Sequence, residues 1–186
     1  MHILLTAFEP FGSNVTNITQ EVLNELPEQI GENHLHKIVL PVSFAQAPIV
    51  LCEAIERLNP DCVLMLGQCK EGEKIRLERY AHNMMDSQMG DNDHYCPNEE
   101  IIYPHSPTAL MTTIGQPLKT IEKTLTRADR PVTITTSAGL YVCNRVYYEA
   151  LYLNQKALFI HIPKTIGLYV AGKTLLHLIR TIILVC

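Results

Sequence analysis

Apolar residues along this chain fall into two rhythms. Short runs with little polar interruption recur at residues 2–6 (HILLT), 37–41 (KIVLP), 61–66 (DCVLML), 131–136 (PVTITT) and 157–162 (ALFIHI). Runs of this length predict strands, and near-continuous ones predict strands covered on both faces. Residues 73–79 are short and alternating and predict a further strand. Between these runs, apolar positions recur at helical spacing over 19–26, 44–58, 108–126, 142–153 and 170–183. Thr19 is the expected N-cap of the first helix, and Asn59-Pro60 stops the second. Gly67 is expected to end the third strand run. Strands alternate with helices almost throughout, which predicts an α/β fold: a three-layer α/β/α sandwich around a mostly parallel twisted sheet. Residues 84–107 break the alternation. They are rich in Asn, Asp and Pro, and a segment of this kind in a domain is expected to be a lid or a loop.

Composition narrows the class. The chain has 186 residues, 47% hydrophobic and 18% charged, which suits one folded domain over 1–186. The net charge is -4 and no Lys/Arg run exists, so no nucleic-acid partner is expected. The last apolar run carries His177 and Arg180 and is too short for a membrane span; a helix on the sheet or at a subunit contact is the expectation. Residues 1–6 lack the basic region and cleavage site of a signal peptide. Six cysteines at 52, 62, 69, 96, 143 and 186 form no CxxC pair, which predicts reduced thiols and a cytoplasmic setting. The stretch DNDHYC at 91–96 lacks the glycine and distal Glu of a calcium loop, and no spacing makes a zinc set of His94, Cys96 and His105. No metal and no cofactor is expected.

In an open parallel sheet, ligands bind at the carboxyl ends of the strands. Cys143 follows the strand PVTITT through the turn SAGLYV and falls near the start of a helix. The positive end of a helix favours thiolate, so Cys143 is a candidate nucleophile. His161 lies near the end of the next strand, and a strand–helix–strand crossover is expected to bring it to the same end as Cys143. A Cys beside a His is the minimum for thiol catalysis, and a third group usually orients the imidazole. Glu78, in KIRLERYAHN, is the candidate for that role, and the loop FEPFG opens at the same edge. Each residue also has an ordinary reading: a buried thiol, a core histidine, a carboxylate on a solvated face.

The residues in order now resemble a known family. LLTAFEPFG at 4–12, LPVSF at 40–44, PDCVLMLGQ at 60–68, LERYAHN at 77–83, SAGLYVCN at 137–144 and FIHIP at 159–163 are similar to the pyroglutamyl peptidase I family. The resemblance implies an α/β/α sandwich of the phosphorylase/hydrolase-like kind and a cysteine omega-peptidase that removes N-terminal pyroglutamate from peptides. It implies Cys143 as nucleophile, His161 as general base and Glu78 as third member of the triad. For the lactam pocket it implies Phe8, Phe11 and Tyr141 as aromatic walls. Gln68 matches a residue whose main chain reads the lactam, Asn17 a position near the site, and Met89 a position at the rim. A homo-oligomer, a tetramer in many bacterial members, is implied too. The rim departs from the family pattern: NITQ at 17–20, CKEG at 69–72, Arg76, Tyr80, Met89-Gly90 and KTIG at 164–167. Those departures motivate an alternative, a non-catalytic relative that binds a lactam or a peptide N-terminus. A different hydrolase on the same fold, such as a nucleoside-cleaving enzyme, would want a convincing anionic-substrate motif, and the sequence carries none.

Overall fold

Leucine, isoleucine and valine runs too apolar for a solvated face make the centre of the molecule a sheet covered on both sides. The computed structural model describes residues 1–70, 72–114 and 117–185. Its elements are β1 (His2–Phe8), α1 (Ile18–Glu25), β2 (Gln29–Ile30), β3 (Asn33–Leu40), α2 (Gln46–Leu58), β4 (Cys62–Cys69), β5 (Ile75–Glu78), β6 (Tyr80–His82), β7 (Ala109–Met111), α3 (Leu118–Arg127), β8 (Val132–Thr135), α4 (Val142–Tyr152), β9 (Ala157–Pro163), a 3₁₀ turn (Lys164–Ile166) and α5 (Leu168–Val185). Among the described residues, seven strands form one sheet in the order β2-β3-β1-β4-β9-β5-β8, and β6 pairs with β7 in a separate ribbon. The architecture is the α/β class that the alternation predicts, with a mostly parallel sheet.

Two faces follow from the period of two. Ile3, Leu5, Cys62, Leu64, Leu66, Leu158 and Ile160 point one way and pack with residues of α1, α3 and α5. Leu4, Phe8, Val63, Met65 and Phe159 point the other way, against α2 and α4. Continuing that alternation along β4 and β9 puts Gly67 and His161 on the α4 side, and the register pairs them directly.

Several expectations need correction. β5 runs antiparallel to β9 and parallel to β8, so β8 and β9 point in opposite directions. No simple parallel crossover joins Cys143 to His161; the loop after β8 carries the chain back to the end where β9 finishes. The helix expected over 108–126 forms only from Leu118, because Ala109–Met111 pairs with Tyr80–His82 as a strand. Gly67 does not end its strand, which continues to Cys69. The N-cap of α1 is Asn17, not Thr19: its Oδ1 accepts from the Thr19 N–H at 3.0 Å and from the Thr19 hydroxyl at 2.8 Å. Asn is the better cap because its short side chain reaches back to the first orphan amides. Among the described residues, no helix is long and apolar enough to cross a membrane.

Candidate active site

Register assembles the first part of the site. Glu78 ends β5 opposite Phe159, and His161 sits two residues along β9 on the same face. The diagonal brings His161 Nδ1 to 2.8 Å from Glu78 Oε1. Both are buried, Glu78 at 1% exposure and His161 at 8%. Thr135, paired with Glu78 across β8, donates its hydroxyl to Glu78 Oε2 at 2.5 Å. The Tyr147 hydroxyl donates to the Glu78 backbone carbonyl at 3.0 Å. Glu78 is therefore fixed at three points. The Phe159 ring lies 4.9 Å from the imidazole and completes its wall. With Nδ1 engaged by the carboxylate, Nε2 is the nitrogen left for other chemistry.

Cys143 arrives from the other layer, in the first turn of α4. No side chain caps that turn, so its amides at the cleft end remain for an incoming oxyanion. The sequence predicts that the helix end favours thiolate. Burial outweighs it: it pushes the Cys143 thiol up to about 12, the Glu78 carboxylate adds to the push, and the residue's own backbone N–H works against it. Burial thus favours the protonated thiol, and the chemistry calls for a base to remove its proton.

Two connected hollows meet at this sulfur. The smaller, about 40 Å³, is lined by Phe8, Phe11, Asn17, Val42, Gln68, Tyr141, Val142 and Cys143. The larger, about 540 Å³, brings Cys143 and His161 together with Phe11, Gln68, Met89 and Tyr141. Phe8 is buried, and the Phe11 and Tyr141 rings face each other at 6.3 Å with a 45° tilt. The Tyr141 hydroxyl donates to the Gly90 carbonyl at 3.0 Å, and burial holds its pKa up at about 12, so it stays neutral. Gln68 spends its side-chain oxygen on the Ile18 N–H at 3.1 Å, and Asn17 Nδ2 donates to the Glu9 carbonyl at 3.0 Å. The Asn17 amide and the Gln68 side-chain oxygen thus serve as structural clamps between elements. Met89 is 49% exposed and borders only the larger hollow. From the irregular segment 84–107, Ser87 and Met89 reach this hollow. Asp91 anchors the segment by accepting from the Phe44, Asp93 and Tyr95 N–H groups.

Of the other thiols, Cys69 lines the larger hollow, Cys62 is fully buried, Cys52 lies 3.8 Å from Glu149, and Cys96 is exposed. Cys186 lies outside the described residues. Among the described residues, no three His, Cys, Asp or Glu side chains gather as a metal-ion set.

Sequence reasoning missed Thr135 and gave Gly67 the wrong task. A glycine inside an apolar strand is a signal of close approach, and here the reason is visible. A Cβ added at Gly67 would stand 2.6 and 2.7 Å from Phe159 ring atoms and 3.0 Å from Cys143 Sγ. Phe159 is fully buried and cannot yield. Gly67→Ala is expected to destabilise the fold by about 1–3 kcal/mol, as overpacking does. It is also expected to displace the thiol and lower turnover more than the stability loss explains. Denaturant unfolding together with activity measured well below the midpoint would check both; an unchanged rate in a folded variant would contradict the steric reading.

With this geometry in place, likeness to known proteins adds identity. A family model described as pyroglutamyl peptidase matches residues 1–176. The pyrrolidone-carboxylate peptidase of Thermococcus onnurineus is 38% identical over 169 residues, covering 88% of this chain and 84% of that protein. The one from Fusobacterium nucleatum is 35% identical over 167 residues, covering 87% and 77%. Among solved structures, pyrrolidone carboxyl peptidase from Thermococcus litoralis matches with a TM-score of 0.90 at 32% identity, covering 98% of this chain and 93% of that one. A variant of the Pyrococcus furiosus enzyme gives 0.92 at 30% identity, covering 98% of each chain.

Proposed function

The chain belongs to the pyroglutamyl peptidase family, a family of cysteine-type hydrolases, and on that premise we propose that it removes N-terminal pyroglutamate through a Cys143–His161–Glu78 triad. One observation carries the assignment. His161, held from behind by the buried 2.8 Å contact with Glu78, lines the same hollow as Cys143, and Cys143 also lines a small, largely apolar slot. A structural ion pair has no need of a thiol and a slot beside it.

The pyroglutamyl ring is flat, small and uncharged. It enters the slot between Phe8, Phe11 and Tyr141, and backbone groups near Gln68 read its N–H and C=O. His161 Nε2 takes the proton from the Cys143 thiol as the sulfur attacks the carbonyl that joins pyroglutamate to the next residue. Amides of the first turn of α4 hold the oxyanion. The imidazolium then gives its proton to the leaving amine, and the carbon–nitrogen bond breaks. Water, deprotonated by the same imidazole, hydrolyses the thioester and frees pyroglutamate. Throughout, Glu78 fixes the ring through Nδ1–H and stabilises its charged form. The reading includes a cytoplasmic setting and a homo-oligomer; Tyr169 and Leu184, 73% and 84% exposed on α5, offer apolar surface for association.

Release of a fluorescent amine from a pyroglutamyl amide is the direct test. Turnover is expected from the wild-type chain and is expected to vanish after treatment with iodoacetamide. Binding of 2-pyrrolidone with no turnover would select the non-catalytic alternative instead.

A further inference from the structure

The larger hollow extends past Cys143, beyond the reach of the pyroglutamyl ring. With the ring in the slot and the scissile carbonyl at the sulfur, the rest of the peptide has to lie on the His161 side. Only there can the imidazole reach the leaving nitrogen. That side is cationic. β4 and β9 are parallel neighbours, and the register that pairs Cys69 with Pro163 makes Lys70 and Lys164 the next residue of each chain segment. Both lysines line the hollow and both are exposed. Lys164 Nζ donates to Asn14 Oδ1 at 2.6 Å, which holds its charge at the cleft wall. Arg76 stands opposite His161 on β5, and its charge draws the Cys69 thiol down against the larger effect of burial. Among the described residues lining the hollow, no Asp or Glu offsets these charges.

The geometry points to a preference for substrates with a carboxylate on the residue that follows pyroglutamate. The carboxylate is either an acidic side chain or the free terminus of a dipeptide. This inference rests on the peptidase reading and deepens it. Two neighbouring cations at the mouth of a cleft raise the local concentration of an anionic substrate and suit its bound form. Because both lysines are exposed, water and salt weaken the effect, and roughly a three- to tenfold gain in kcat/KM is expected.

The test compares pyroglutamyl-Glu amide, pyroglutamyl-Ala amide, pyroglutamyl-Lys amide and pyroglutamyl-Ala with a free carboxylate. The Glu amide isolates the side chain, and the free acid isolates the terminus. Either is expected to exceed the Ala amide, with the Lys amide slowest. The gaps should shrink between about 0.05 and about 0.5 M salt and collapse in Lys70→Gln/Lys164→Gln. If that variant fails to fold, the salt titration of the wild type decides alone. Equal kcat/KM across the four substrates, or a preference for the Lys amide, would overturn the inference and leave the peptidase reading standing. Failure to turn over any of them would overturn both.

Discussion

Cys143→Ala is expected to abolish turnover, by on the order of 10⁴-fold or more, while leaving the fold intact. Alanine keeps the helix and removes only the sulfur, which is already partly buried at the start of α4. Affinity for 2-pyrrolidone should survive, because the slot is built mostly from Phe8, Phe11, Tyr141 and backbone. Isothermal binding and single-turnover assays on the same preparation would separate the two; residual turnover near wild type would remove Cys143 from the chemistry. A pH dependence follows from the raised thiol. Burial keeps the proton on sulfur up to about 12. The reactive thiolate is therefore a minor form at neutral pH, and its fraction grows as pH rises. Alkylation by iodoacetamide should accelerate steadily from about pH 6 to about pH 9. A flat rate over that range would indicate a preformed thiolate–imidazolium pair.

Glu78→Gln is the second large effect. Glutamine has the same shape, but its amide can face His161 in two ways. With the carbonyl toward Nδ1–H the ring keeps its tautomer and loses the negative charge that steadies imidazolium. With the NH₂ group toward Nδ1 the proton moves to Nε2, where it cannot accept from the thiol. Either outcome lowers kcat, by roughly 10² to 10⁴, and leaves KM close to its original value. The Thr135 hydroxyl, which donates to Glu78 Oε2, can still bond an amide oxygen, so a folded variant is expected. The measurement is the separate change in kcat and KM, and an unchanged kcat would exclude Glu78 from the mechanism.

Much of this was legible before any coordinates. The apolar runs marked the strands of the central sheet, because a strand covered on both faces has no polar alternation to hide it. The three titratable residues were legible because each sits at a strand or helix end. Direction was not. β5 is four residues long, and a short alternating run reads the same whichever way it points. Ala109–Met111 was absorbed into a helix because three apolar residues satisfy either period, and the partner that decides, Tyr80–His82, is non-local. The opposing pull on the Cys143 thiol was hidden for a similar reason. The helix end is visible in sequence, whereas the enclosure that outweighs it is made by Phe159, Gly67 and other distant residues.

β9 sits between β4 and β5 in the sheet, yet it follows both of them in the chain. Until residues 157–163 emerge, β4 and β5 have no partner for their facing edges, and His161 is absent from beside Glu78. The nascent chain thus carries an open, apolar seam until β9 is made, the condition in which strands pair wrongly with other chains. Closing that seam joins residues 83 apart in sequence, a contact that forms late and slowly. Assembly of the candidate site and insertion of β9 are on this account the same event, so regain of activity after dilution from denaturant is a clock for insertion of β9 between β4 and β5.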